Sequence, residues 1–192
     1  MAIETFPITI YFKVDNQLTI DKNEILDPIV TISVNNVIYK ENIVLINPVH
    51  VKQKTHSDHY SGELVEVNFD LDIDDDIDQD IKLKINLTNE NIPYHDGWGI
   101  YISDIELNEI SIESLVHENG ILNIPLCNEA DYEDEGFIQS YLIPEGLTDG
   151  LKLIDGRYHY IVNGDYVHMQ DSSYSFKFKT PLYLWLLELL LQ

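Results

Sequence analysis

Between residues 65 and 87 the chain is governed by a period of two. Val65, Val67, Phe69, Leu71 and Ile73 alternate with Glu66, Asn68, Asp70 and Asp72, and Ile81, Leu83, Ile85 and Leu87 alternate with Lys82, Lys84 and Asn86. Neighbouring side chains of a strand point to opposite faces, so such runs fit strands with one face in a core and the other in water. Val30-Thr31-Ile32-Ser33-Val34 repeats the pattern. Ile100, Ile102, Ile105 and Leu107 continue it with one phase shift at Ser103-Asp104, which predicts a β-bulge. Further strands are expected at residues 8–13, 37–39 and 49–54, and through Tyr174, Phe176 and Phe178. Residues 158–162, then Asn163-Gly164, then Tyr166-Val167-His168 read as a hairpin, because Asn-Gly readily takes the positive φ of a tight turn. Asn35-Asn36, Asn47-Pro48 and the acidic run 74–80 punctuate the strands. Many short strands without a long helical period imply a mainly β chain folded as an antiparallel β-sandwich.

The 192 residues suffice for one large domain, or for one domain with a substantial extension. The alternation weakens between residues 112 and 156, which predicts a sandwich over 1–112 and a β-rich C-terminal region over 113–192. A single cysteine, Cys127, excludes an internal disulfide, and the acids downstream of it, from Glu129 on, argue against a reactive thiolate. The net charge is −23, with Arg157 the one arginine, and no Lys or Arg stands between Lys84 and Lys152 among 14 Asp and Glu. Phosphate backbones and anionic membranes need clustered basic side chains, so neither nucleic acid nor a membrane is an expected partner. The first residues, Met-Ala-Ile-Glu-Thr, carry no signal-peptide pattern, so synthesis in a cytosol is expected.

Residues 181–192 differ from everything before them. Thr180 as cap and Pro181 at the first helical position predict a short apolar helix over 181–191. Spanning a bilayer takes about 17 residues or more, so this segment is too short. It is apolar nearly all round and therefore needs covering on two sides, by its own sandwich or by another chain. Leu182, Tyr183, Trp185, Leu186 and Leu189 are the candidate assembly residues.

No catalytic signature emerges. The run of aspartates from Asp70 to Asp80 fails as an EF-hand, since position six is Asp75 and position twelve Ile81. It reads as a strand edge and hairpin turn whose charges discourage edge pairing. His56 and His59, with Asp58 between them, have a zinc-like spacing, but a closed site needs four ligands and the other histidines (His50, His95, His117, His159 and His168) are scattered. Nucleophile-elbow, Walker and metalloprotease motifs are absent, and the expectation is a non-enzymatic protein.

The stretch with most chemistry is Asn89-Glu90-Asn91, Tyr94-His95-Asp96-Gly97-Trp98 and the strand that follows. Carboxylates and carbonyls of such a loop suit a hard calcium ion, and the flat faces of Tyr94 and Trp98 suit a sugar ring. Thr88-Asn89, this loop and residues 100–108 together resemble the late part of jelly-roll carbohydrate-binding modules of the calcium-dependent, xylan-binding kind. The resemblance covers residues 30–112. It implies a jelly-roll sandwich, calcium on Glu90, Asp96 and Asp104 with Asn89 nearby, and a glycan partner. Gly97-Trp98-Gly99 stands where those modules carry Asp-Arg-Asn. Ser175-Phe176-Lys177-Phe178-Lys179-Thr180-Pro181-Leu182-Tyr183-Leu184-Trp185-Leu186-Leu187-Glu188, after a tyrosine-rich hairpin, is similar to the ending of structural proteins of tailed bacteriophages. That similarity implies an oligomeric virion component (a head, neck or tail accessory or decoration protein) that is made in the host cytoplasm and docks on other virion subunits. A calcium-dependent module recognising a surface glycan is the alternative.

Overall fold

In β1 (Thr5–Asp15) the side chains of Phe6, Ile8, Ile10, Phe12 and Val14 are all buried, while the residues between them turn outward. This is the period-two rule in its simplest form. The computed structural model describes residues 5–15, 17–18, 25–46, 64–74, 76–88, 99–128, 150–167 and 172–191. After β1 come the small ribbon of β2 (Gln17–Leu18) and β3 (Ile25–Leu26), then β4 (Ile29–Val34) and β5 (Val37–Val44). Next are β6 (Val65–Asp72), β7 (Gln79–Leu87), β8 (Gly99–Leu107) and β9 (Ile110–Ser111). A short helix, α1 (Glu113–Asn119), leads into β10 (Ile121–Asn128). The chain ends with β11 (Leu151–Ile154), β12 (Arg157–Asn163), β13 (Tyr166–Val167), β14 (Ser173–Thr180) and α2 (Leu182–Leu190).

Two antiparallel sheets pack into a β-sandwich. One has the order β13-β8-β1-β6 with β9 beside β8, and the other β11-β12-β10-β14-β7-β4-β5. A single core cluster draws Phe12 from the first sheet and Ile32, Leu83, Tyr174 and Phe176 from the second. Phe6 stacks on Phe178 across the sandwich at 6.1 Å, and Tyr39 meets Phe69 at 5.6 Å. The phase shift at Ser103-Asp104 is a bulge: Tyr11 faces Asp104 and Phe12 faces Ile102, so Ser103 is the extra residue.

The boundary expected at residue 112 is crossed by both sheets. β14 lies between β7 and β10, in register with β7 over Ser173 to Thr180, and β13 pairs with β8. The expected Asn163-Gly164 hairpin does not form. β12 pairs with β10 and β11, whereas β13 joins the opposite sheet. The reason lies in α1 and the turn after it: Asn163 Nδ2 donates to the Glu118 carbonyl at 2.9 Å, and the Gly164 N–H to the Gly120 carbonyl at 3.1 Å. The hairpin instead forms one step earlier, at Asp155-Gly156, with φ of 51° and 75°. Asn35-Asn36 makes the same two-residue turn between β4 and β5, and Asn108-Glu109 between β8 and β9.

The acidic run after β6 is likewise a crossing rather than a hairpin turn, since β6 and β7 belong to different sheets. The Asp76 N–H donates to Asp74 Oδ1 at 3.0 Å, and Gln79 Nε2 to the Asp74 carbonyl at 3.3 Å, which turns the chain over the sandwich edge. β6 is an edge strand with Glu66, Asp70 and Asp72 exposed, the charges that discourage edge pairing. The strand expected at 49–54 lies outside the described residues.

Candidate assembly surface

The terminal helix is laid across the sandwich by β14. Thr180 closes that strand opposite Gln79, and its hydroxyl donates to the Ile77 carbonyl at 2.7 Å. Thr180 is therefore not the helix cap. Pro181 takes the cap position with extended backbone (φ −63°, ψ 131°), and its carbonyl accepts from the Leu184 and Trp185 N–H groups. The Thr180 hydroxyl tethers the crossing segment instead, which puts half-exposed Ile77 beside the start of α2.

Successive helical residues are turned by about 100°. On that spacing Leu182, Trp185, Leu186 and Leu189 share one side of α2. Leu182 and Trp185 are buried, and Leu186 and Leu189 pack partly against the core. The Trp185 ring lies 6.3 Å from both Phe176 and Phe178, edge-on to the first. The other side holds Tyr183, Leu184, Leu187, Leu190 and Leu191, an arc of about 120° by the same spacing. All five are exposed, Leu190 at 84% and Leu191 at 79%. Glu188 is the one charged residue on the helix. Single exposed leucines are ordinary on protein surfaces, but a contiguous apolar stripe marks an interaction surface.

Of the five residues singled out from sequence, then, only Tyr183 faces outward. Leu182, Trp185, Leu186 and Leu189 serve the chain's own core, and Leu184, Leu187, Leu190 and Leu191 hold the open side. A helical wheel separates these two arcs in the sequence. It does not say which one turns inward, and the partners that decide this, Phe176 and Phe178, are visible only once β14 is in place.

The calcium and glycan candidates Asn89, Glu90, Tyr94, Asp96 and Trp98 lie outside the described residues. Asp104 is described and half-buried on the outer face of the first sheet. Its Oδ1 accepts from the Ile105 N–H and its Oδ2 from the Ser111 hydroxyl, both at 2.7 Å. Those bonds hold the bulge and pin β9 to β8. Among the described residues no group of three or more His, Cys, Asp or Glu is placed to hold a metal ion, and no helix is long and apolar enough to cross a membrane.

Fold and surface together define an acidic antiparallel β-sandwich that carries an apolar terminal helix with one open side. Comparison with known protein families, curated proteins and solved structures finds no match.

Proposed function

We propose that the protein is a non-enzymatic structural component of a tailed-phage virion, an accessory or decoration subunit that docks on its neighbours through α2. The observation that carries this reading is the open stripe of Tyr183, Leu184, Leu187, Leu190 and Leu191 on a helix whose other side is already engaged. Fully burying a leucine is worth about 1.5–3 kcal/mol, so a matching groove on a neighbouring subunit would gain substantial affinity from this stripe. The similarity of the chain's ending to phage structural proteins supports the particle as the setting. Peptide mass spectrometry of density-purified phage particles tests it. The protein should be present at a fixed ratio to the major head or tail protein and stay bound through high salt. Its absence from intact particles, with the protein abundant in the lysate, would overturn the proposal.

A further inference from the structure

The outer face of the seven-stranded sheet gathers positive charge that the fold itself does not require. On β7 and β14, Leu83, Phe176 and Phe178 point into the core, so Lys82, Lys84, Lys177 and Lys179 point away from it. The register sets Lys82 directly opposite Lys177, Lys84 opposite Ser175 and Lys179 opposite Asp80. Four of the chain's 11 basic residues thus share two neighbouring strands. Like charges in directly opposed positions destabilise a sheet. Among the described residues no carboxylate stands within ion-pair distance of these lysines; the pair that does form, His117 with Asp165 at 3.3 Å, lies elsewhere. Burial, and then the charge of Lys82, lower the pKa of the half-buried Lys84 ammonium from its ordinary value.

The opposite face of the sandwich is complementary. On the outside of the five-stranded sheet, β6 presents Glu66, Asp70 and Asp72, and β8 presents Asp104 and Glu106. Between them sits Tyr11, whose hydroxyl is raised above its ordinary pKa by partial burial, by a hydrogen bond to Glu106, and by the charges of Glu106, Glu66 and Asp104.

We propose that these two faces meet in self-association, the lysine strip of one copy resting on the carboxylate face of the next. The two patches lie on opposite sides of one sandwich, so the contact is head-to-tail and builds a ring or a row rather than a two-fold dimer. At physiological salt, charges are screened beyond about 8 Å, so the facing patches outweigh the net charge of each copy. This contact is separate from the open side of α2 and does not rest on the virion reading.

A charge swap followed by sedimentation tests it. One variant carries Lys82→Glu and Lys177→Glu, the other Glu66→Lys and Asp70→Lys. Both alter exposed side chains, and circular dichroism confirms the fold of each. The wild type should form larger assemblies at about 0.01 M salt and shed that added association at about 1 M, where charges act over only ~3 Å, keeping only what the apolar side of α2 holds. An apolar contact through α2 would instead strengthen with salt. Each variant alone should associate roughly 100-fold more weakly or worse, because like charges then face each other. An equimolar mixture of the two should restore association. Failure of the mixture to associate would overturn the inference, as would association of the wild type that is indifferent to salt. Lysine-dependent binding of single-stranded DNA without self-association would overturn it too, by assigning the strip to a phosphate backbone. Should a glutamate variant fail to fold, Lys82→Gln with Lys177→Gln takes its place. Undiminished association of that neutral variant would equally contradict the inference.

Discussion

At Gly120 the chain leaves α1 for β10 directly beneath the ring of Tyr174. A Cβ there would collide with that ring and with the Val116 carbonyl oxygen. The Tyr174 side chain is fully buried, and its hydroxyl donates to the same carbonyl at 3.0 Å. Burial, with the charge of Asp165 second, pushes that hydroxyl far above its ordinary pKa, so it stays a donor at every working pH. Gly120→Ala should destabilise the fold by about 1–3 kcal/mol through overpacking. Tyr174→Phe should lose about 0.5–1.5 kcal/mol, the net worth of one hydrogen bond. Urea denaturation measures both, and a neutral Gly120→Ala would contradict the close approach. His159 offers a pH test at the same scale. Its Nδ1–H donates to Asn123 Oδ1 at 2.8 Å, and burial, followed by the charge of Arg157, lowers its pKa below the ordinary 6.5. The unfolded chain binds that proton more readily than the folded one. The contribution of His159 is therefore complete above about pH 6.5 and is lost as the pH falls below it. Between pH 7.5 and 5 the wild type should lose stability relative to His159→Gln, with thermal melting of both proteins as the readout. A constant difference between them would contradict the lowered pKa.

For single elements, α2 shows what an apolar helix does when its two sides have different partners. Trp185→Ala opens the contact with Phe176 and Phe178 and should cost about 3–5 kcal/mol. Leu187→Glu changes a side chain that touches solvent and should stay within about 0.5 kcal/mol of the wild type. Denaturation of the two variants checks this division, and a Leu187→Glu chain as unstable as Trp185→Ala would place the core on the other side. The sequence made the helix legible, together with the strands with strict alternation and the bulge at Ser103, because each is written in local periodicity. What it hid was pairing. Asn163-Gly164 has hairpin chemistry, but hydrogen bonds to the Glu118 and Gly120 carbonyls send the chain to the other sheet. Lys82 and Lys177 are 95 positions apart in sequence and meet only because β14 inserts beside β7. The short helix α1 buries only Val116, too little apolar surface to announce itself as a period.

Across the whole molecule, the C-terminal third is woven through both sheets rather than appended to a finished sandwich. β14 supplies the central contacts of one sheet, and α2 then seals Phe176 and Phe178. Cutting the chain at Thr180 therefore strips Leu182 and Trp185 from the core, and loss of assembly after such a cut would say nothing about docking. The outward side of α2 has to be addressed alone. The most direct measurement is the solution mass, by light scattering, of the intact chain beside the variant Leu187→Glu with Leu190→Glu, at salt high enough to screen charge contacts. The intact chain should be a defined oligomer, and the variant a folded monomer with unchanged melting. Equal masses for the two proteins would contradict this and leave the apolar stripe without a role in assembly.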